Sequence, residues 1–326
     1  MIDVRQYPQA VRILFPLIFL FPIYALILVG IILWYPILWS LIVIYGLWYI
    51  HDSATPWQGS NPIPWLRDLY IWKICAAYFD AECVLTAELP ADKNYVIACH
   101  PHGVIGVGTL LSFASNSTGF HTKTKHLVTR LVTLPINFYI PIHRDLMIQM
   151  GVIASDAAAI EHCLNESPSG RAVVIVPGGA EESLDSHHYN YELTLKERKG
   201  FVRLAIKNGA SLVPVYNFGE NKTYHQLANP RGSTLRRVQS SVKKLTGLAP
   251  CTPYGYGIFN NKFGIIPIQT KITTVVGAPI PTKKSPNPTT AEINEVHATY
   301  IDALTNLFEE HKLKYDIPEG THLEFV

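Results

Sequence analysis

Between Ile13 and Ile50 the chain carries no charged residue, an apolar run flanked by Arg12 on one side and His51-Asp52 on the other. At 1.5 Å per residue, roughly 20 residues cross a bilayer core as an α-helix, so the run has nearly twice the length of one crossing. It is expected to enter and leave the membrane as a helical hairpin. Two places suit the apex: Gly30, which divides the run evenly, and Trp34-Tyr35-Pro36, which reads as an interfacial turn. Trp39, Trp48 and Tyr49 suit a lipid–water interface. A cleaved signal peptide has a shorter apolar stretch and a small-residue cleavage site, and two buried helices of a soluble core rarely lack charge all round. Beyond Asp52 no stretch is long enough to span. Two crossings place both termini on one side.

Of the 326 residues 48% are hydrophobic and 16% charged, whereas a soluble domain is about a quarter charged. That is far too apolar for a disordered chain, and the formal charge of +2 without a basic tract argues against nucleic acid as a partner. Five cysteines (Cys75, Cys83, Cys99, Cys163, Cys251) show no C-x-x-C spacing. They form neither a disulfide framework nor a zinc finger and read as reduced thiols facing the cytosol. The expected division is therefore a membrane-embedded hairpin over residues 1–52 and a cytosol-facing domain over 53–326. On that orientation the sequons at Asn116, Asn165 and Asn221 are expected to stay unglycosylated.

After a Pro/Gly/Ser linker at Ser53–Pro64, short apolar runs alternate with helical patterns. Tyr95–Cys99, Ala172–Val176, Leu212–Tyr216 and Ile272–Val276 read as buried strands. Val104–Ala114, Ser155–Leu164, Arg198–Asn208 (closed by Gly209) and Ala291–Lys312 read as helices. This order implies an α/β fold with a mostly parallel sheet and flanking helices. Thr282–Thr290 reads as a surface loop.

Three segments after strands carry candidate chemistry. In Cys99-His100-Pro101-His102-Gly103, a neutral imidazole can act as a general base, since its ordinary pKa is near 6.5. Gly103 lets a reacting group approach the backbone, and free N–H groups at the following helix start can stabilise an oxyanion. The turn Pro177-Gly178-Gly179-Ala180-Glu181-Glu182 can add oxyanion donors and a carboxylate that orients an imidazole. Arg198-Lys199, opening a helix that also carries Arg203 and Lys207, is unfavourable for the helix dipole but suits phosphate, such as the phosphates of coenzyme A. Ordinary readings stand beside these: hydrogen-bonding histidines at a strand end, a glycine turn with exposed acids, and a solvated basic face.

His100–Gly103 (HPHG), the GG-x-x-E-S-L pattern at Gly178–Leu184 and the block Arg198–Asn221 (RKGFVRLAIKNGASLVPVYNFGEN) together resemble the type 2 acyl-CoA:diacylglycerol acyltransferase family, which includes monoacylglycerol and wax-alcohol acyltransferases. Pro135–Asp156 and Thr273–Pro279 with the helix after it are similar as well, so the resemblance covers nearly the whole chain. It implies an acyltransferase-like fold and transfer of a fatty acyl group from acyl-CoA to a lipid hydroxyl. It also implies a multi-pass location in the endoplasmic reticulum membrane, with both termini cytosolic, and on lipid droplets. The family motif falls on His100, Pro101, His102 and Gly103, and its acid on Glu182. Glu181 departs from the pattern, where a small residue is usual, and leaves open which acid orients a histidine.

Direct acyl transfer is the mechanism so implied. His102 is the base, with His100 and Glu182 in support. Backbone groups at Gly103, Gly178 and Gly179 serve the oxyanion. Arg198, Lys199 and Arg203 bind coenzyme A, with Arg144 or Lys207 next in line. Diacylglycerol is the expected acceptor, with 2-monoacylglycerol or a long-chain alcohol as alternatives. Acyl-CoA is a co-substrate, no metal or bound cofactor is required, and a homo-oligomer is compatible. Rival readings are a zinc site on His100 and His102, which lacks an evident third ligand; a nucleophilic Cys99; and a non-catalytic lipid-droplet or lipid-transfer protein, which has no need of HPHG.

Overall fold

In the computed structural model of the chain, which describes residues 12, 14, 16, 18, 20–259 and 262–326, the charge-free run is broken at Tyr35. Helices Phe21–Trp34 and Trp39–His51 flank a 3-10 turn at Pro36–Leu38. Proline lacks the donor a helix needs and pushes the preceding residue out of the helical region, and Tyr35 is extended at φ −106°, ψ 101°. Gly30 lies inside the first helix, so of the two expected apices the chain breaks at Trp34-Tyr35-Pro36. The Trp39 indole N–H donates to the Leu33 carbonyl across the break (3.1 Å).

Among the described residues one helical segment, Pro36–Trp57, is long and apolar enough to cross a membrane; Phe21–Trp34 is shorter. Residues 1–11, 13, 15, 17 and 19 of the expected hairpin lie outside the described residues. The second helix is also tied to its own chain. The Tyr45 hydroxyl donates to Asp145 (2.6 Å) and the Trp48 indole to the same carboxylate (3.4 Å). The Tyr49 hydroxyl donates to the Phe138 carbonyl (3.3 Å). Thus the polar tips of Trp48 and Tyr49, expected at a lipid–water interface, find partners within the protein.

Ser53–Pro64 is a packed segment rather than a free linker. The Ser60 hydroxyl donates to the Val152 carbonyl, Trp57 to Asp156 (2.6 Å), and the Ile63 N–H to Gln149 (2.8 Å).

Seven strands form the main sheet in the spatial order Glu82–Leu85, Thr273–Val276, Ser211–Phe218, Tyr95–His100, Arg171–Ile175, Val128–Thr133, Val152–Ala154. Every neighbouring pair is parallel except Thr273–Val276 with Ser211–Phe218. The expected α/β class with a mostly parallel sheet is what the chain forms, and the four expected strands are all members. Strand side chains alternate between faces. Val96 and Ala98 of the central strand join a core with Phe201, Tyr300 and Phe308 from helices Gly200–Asn208 and Thr290–His311. Tyr95, Ile97 and Cys99 face an opposite core with Phe113 and Phe120. A third core gathers Trp72, Phe79, Leu111, Phe138 and Ile148 under helices Tyr70–Tyr78 and His143–Gln149.

Candidate active site

The alternation that sorts the core also sorts the two histidines. His100 shares the parity of Val96 and Ala98 and is fully buried. The Tyr300 hydroxyl donates to the Ala98 carbonyl (3.1 Å), so it accepts from His100 Nε2–H at 3.0 Å. Burial pushes the His100 imidazole down to a pKa of about 3. It stays neutral and faces helix Thr290–His311.

His102 follows in the loop and lines a cleft of about 1020 Å³. Its Nδ1 lies 2.7 Å from Ser183 Oγ and 3.1 Å from the Gly103 carbonyl. A carbonyl can only accept, so these partners place the proton on Nδ1 and leave the Nε2 lone pair free. Burial holds the His102 pKa below its ordinary value, which keeps the imidazole unprotonated at neutral pH and so able to accept a proton. The cleft lies at the carboxyl ends of the parallel strands, with Thr133, Ser155 and Val176 on its wall, where open α/β sheets bind ligands. Val104, Ile105, Leu134, Phe201 and Leu204 give it apolar walls.

Neither acid of the second loop touches the His102 ring. Glu181 pairs with Arg236 (2.7 Å) and with Lys243. Glu182 is buried, and among the described residues neither of its oxygens has a hydrogen-bond partner of ordinary geometry. Burial raises its pKa to about 8, with the His102 backbone N–H drawing it back toward the ionised form. The ring's partner is Ser183. Sequence reasoning passed over it because it looked for a charged partner; its position inside GG-x-x-E-S-L was the available signal.

The glycines serve buried carboxylates. A methyl on Gly178 would stand 1.3 Å from Glu182 Oε2. Gly103, at φ +63°, would place one 2.6 Å from both Cγ and Oε1 of Glu220. Glu220 is fully buried and accepts from the N–H groups of Val107 (2.9 Å) and Gly108 (2.8 Å). Burial raises its pKa to about 7 against those bonds. The helix start expected to offer free N–H groups to an oxyanion is therefore engaged by Glu220. Gly179 lines the cleft, but its own N–H donates to Val176 (3.2 Å). Sequence reasoning missed Glu220, although a Gly-acid pair closing a long apolar strand was visible at Gly219-Glu220.

Arg198 and Lys199 line the same cleft as His102, at the start of helix Gly200–Asn208. Arg203 is exposed on that helix and away from the cleft lining. The two fallback cations are committed elsewhere. Arg144 is buried against Asp52 (3.0 Å), and Lys207 pairs with Glu161 (2.8 Å). Cys99 is fully buried, its thiol pKa pushed far up by desolvation, which removes it as a nucleophile. All five cysteines are free.

The pattern of the family described as diacylglycerol acyltransferase matches residues 31–326. Diacylglycerol O-acyltransferase 2 of Dictyostelium discoideum is 42% identical over 277 residues, 85% of this chain and 84% of that protein. 2-Acylglycerol O-acyltransferase 3 of Homo sapiens is 40% identical over 326 residues, 99% of this chain and 95% of that protein. Diacylglycerol O-acyltransferase 2 of Bos taurus is 38% identical over 287 residues, 88% of this chain and 80% of that protein.

Proposed function

The chain belongs to the diacylglycerol acyltransferase family, and from that premise we propose that it moves a fatty acyl group from acyl-CoA to diacylglycerol, making triacylglycerol. The observation that carries the reading is His102, met at Nδ1 by Ser183 and lining a cleft that also holds Arg198 and Lys199. The acceptor hydroxyl gives its proton to His102 Nε2 while its oxygen attacks the thioester carbonyl. The tetrahedral intermediate then collapses, and the departing coenzyme A thiolate recovers that proton from the imidazolium. Ser183 Oγ and the Gly103 carbonyl accept from Nδ1–H throughout and steady the charged ring. With Val107, Gly108 and Gly179 engaged, the first turn of helix Gly179–Leu184, whose Ala180 and Glu181 line the cleft, is the place for oxyanion donors. Arg198 and Lys199 meet the phosphates of coenzyme A. Acyl-CoA is a co-substrate, and the step needs no bound cofactor.

A second acceptor, 2-monoacylglycerol, is favoured by the alignment of the 2-acylglycerol relative over 99% of this chain. Product formation from each acceptor by the purified protein decides between the two. The apolar helices would hold the cleft at the endoplasmic reticulum bilayer, where the acceptor is dissolved, with lipid droplets as a second location. The mechanism is tested at its base. General-base help is typically worth 10²–10⁴ in rate, so His102→Ala should lower turnover by about that factor while the protein stays membrane-bound. Near-parental turnover would sink the mechanism.

A further inference from the structure

We propose that Glu220 is a positioning residue for this acyl transfer: it grips the His102 loop from the neighbouring strand and so fixes where Nε2 points. The proposal rests on the reading of His102 as the base. Glu220 follows strand Ser211–Phe218, which pairs in parallel with Tyr95–His100. From there its carboxylate engages two parts of the next connection at once. It packs against Gly103, the residue after His102, and it accepts from Val107 and Gly108.

Those N–H groups open the helix that runs through Thr109, and the same strand holds Thr109 through Asn217 (3.1 Å). The helix is thus anchored to the strand independently of Glu220. What Glu220 adds is the fixed spacing between helix start and His102 loop. It lies outside the cleft lining, so it acts through the loop and not on substrate. An ionised carboxylate suits the task because its oxygens only accept, here from the two N–H groups. A glutamine of the same shape would turn an N–H toward a backbone N–H.

The experiment measures kcat, both KM values and thermal unfolding for Glu220→Gln, alone and combined with His102→Ala. Ångström-scale misplacement of a catalytic group can reduce rate by about a hundredfold, so Glu220→Gln is expected to lower kcat by roughly ten- to a hundredfold. Both KM values should stay within about twofold, as when an interaction acts only in the transition state. Because Glu220 works through His102, the double variant should be no slower than His102→Ala alone.

Parental kcat in Glu220→Gln, or the same fractional loss with and without His102, overturns the proposal. His102→Ala with parental turnover would instead fail the base reading and carry this proposal with it. If Glu220→Gln does not fold, Gly103→Ala presses on the same carboxylate without removing it. It should show the same kcat loss and the same absence of further loss beside His102→Ala, and additive losses there are the overturning result.

Discussion

Two buried glutamates approach the His100–Gly103 loop from the strands on either side of it, and they are held in different ways. Glu220, after Ser211–Phe218, accepts from two backbone N–H groups. Glu182, after Arg171–Ile175, has among the described residues no partner of ordinary geometry at either oxygen. Both pack on a glycine, and burial raises both pKa values, to about 7 for Glu220 and about 8 for Glu182. A desolvated carboxylate without strong donors prefers its protonated form. Burial thus favours the neutral acid more at Glu182 than at Glu220. The side-chain group within hydrogen-bond distance of the His102 ring is instead the hydroxyl of Ser183, next to Glu182 in the chain.

The largest effect should come from crowding the weaker-held acid. Gly178→Ala sets a methyl against Glu182 Oε2 and within 2.4 Å of its Cδ. Overpacking of this kind is worth typically 1–3 kcal/mol. Thermal unfolding should report that loss, and Glu182→Ala in the same chain should recover part of it, since it removes both atoms. Strict additivity of the two changes would show that something other than Glu182 keeps position 178 a glycine.

A smaller, pH-dependent effect separates the two acids. Glu182 binds its proton more tightly in the folded chain, at about 8, than at the ordinary value of 4.5. Its contribution to stability is therefore complete below the unfolded pKa and is lost as pH rises through the folded one. Glu182→Gln stays neutral and should flatten the fall in melting temperature between those limits, so that it gains on the parent above pH 8. Glu220 follows the same sign with a smaller rise, to about 7, so Glu220→Gln should flatten the profile less, and it also forfeits bonds to a charged acceptor, a kind worth about 1.5–3 kcal/mol. Parallel pH profiles for parent and Glu182→Gln would mean that Glu182 is already ionised in the fold.

The smallest effect concerns the charged rim beside the second loop. Arg198→Gln and Lys199→Gln should each raise the KM for acyl-CoA by about tenfold, the lower end for a hydrogen bond to a charged partner, and leave the acceptor KM unchanged. Arg203→Gln, off the cleft, should change neither. Equal rises for both substrates would make the rim structural and detach coenzyme A from this side of the cleft.

Much of the fold was legible because it is fixed by near neighbours. Pro36 breaks the apolar helix because its own ring and the residue before it forbid continuation. Gly209 closes Gly200–Asn208 in the left-handed conformation at φ +67°. Buried runs such as Tyr95–Cys99 announced themselves as strands. Val128–Thr133 did not, since Arg130 interrupts its apolar pattern. That arginine is satisfied by the Gly59 carbonyl, a partner distant in sequence. The helices His143–Gln149 and Thr234–Thr246 were missed as well. Each holds a buried arginine whose carboxylate partner lies far away, Arg144 with Asp52 and Arg236 with Asp185.

The site divides in the same way. The sequence by itself determined that the His100–Gly103 motif stands at the end of a buried strand. It also set Arg198 and Lys199 at a helix start. Only the tertiary structure decided that Ser183 meets His102, that Glu220 occupies the N–H groups of Val107 and Gly108, and that Arg144 and Lys207 are spent on ion pairs. The physical reason is range. Periodicity, caps and proline breaks act over a few residues, whereas these partners are brought together by the order of strands in the sheet. His102 and Ser183 stand 81 residues apart in the chain and 2.7 Å apart in the fold.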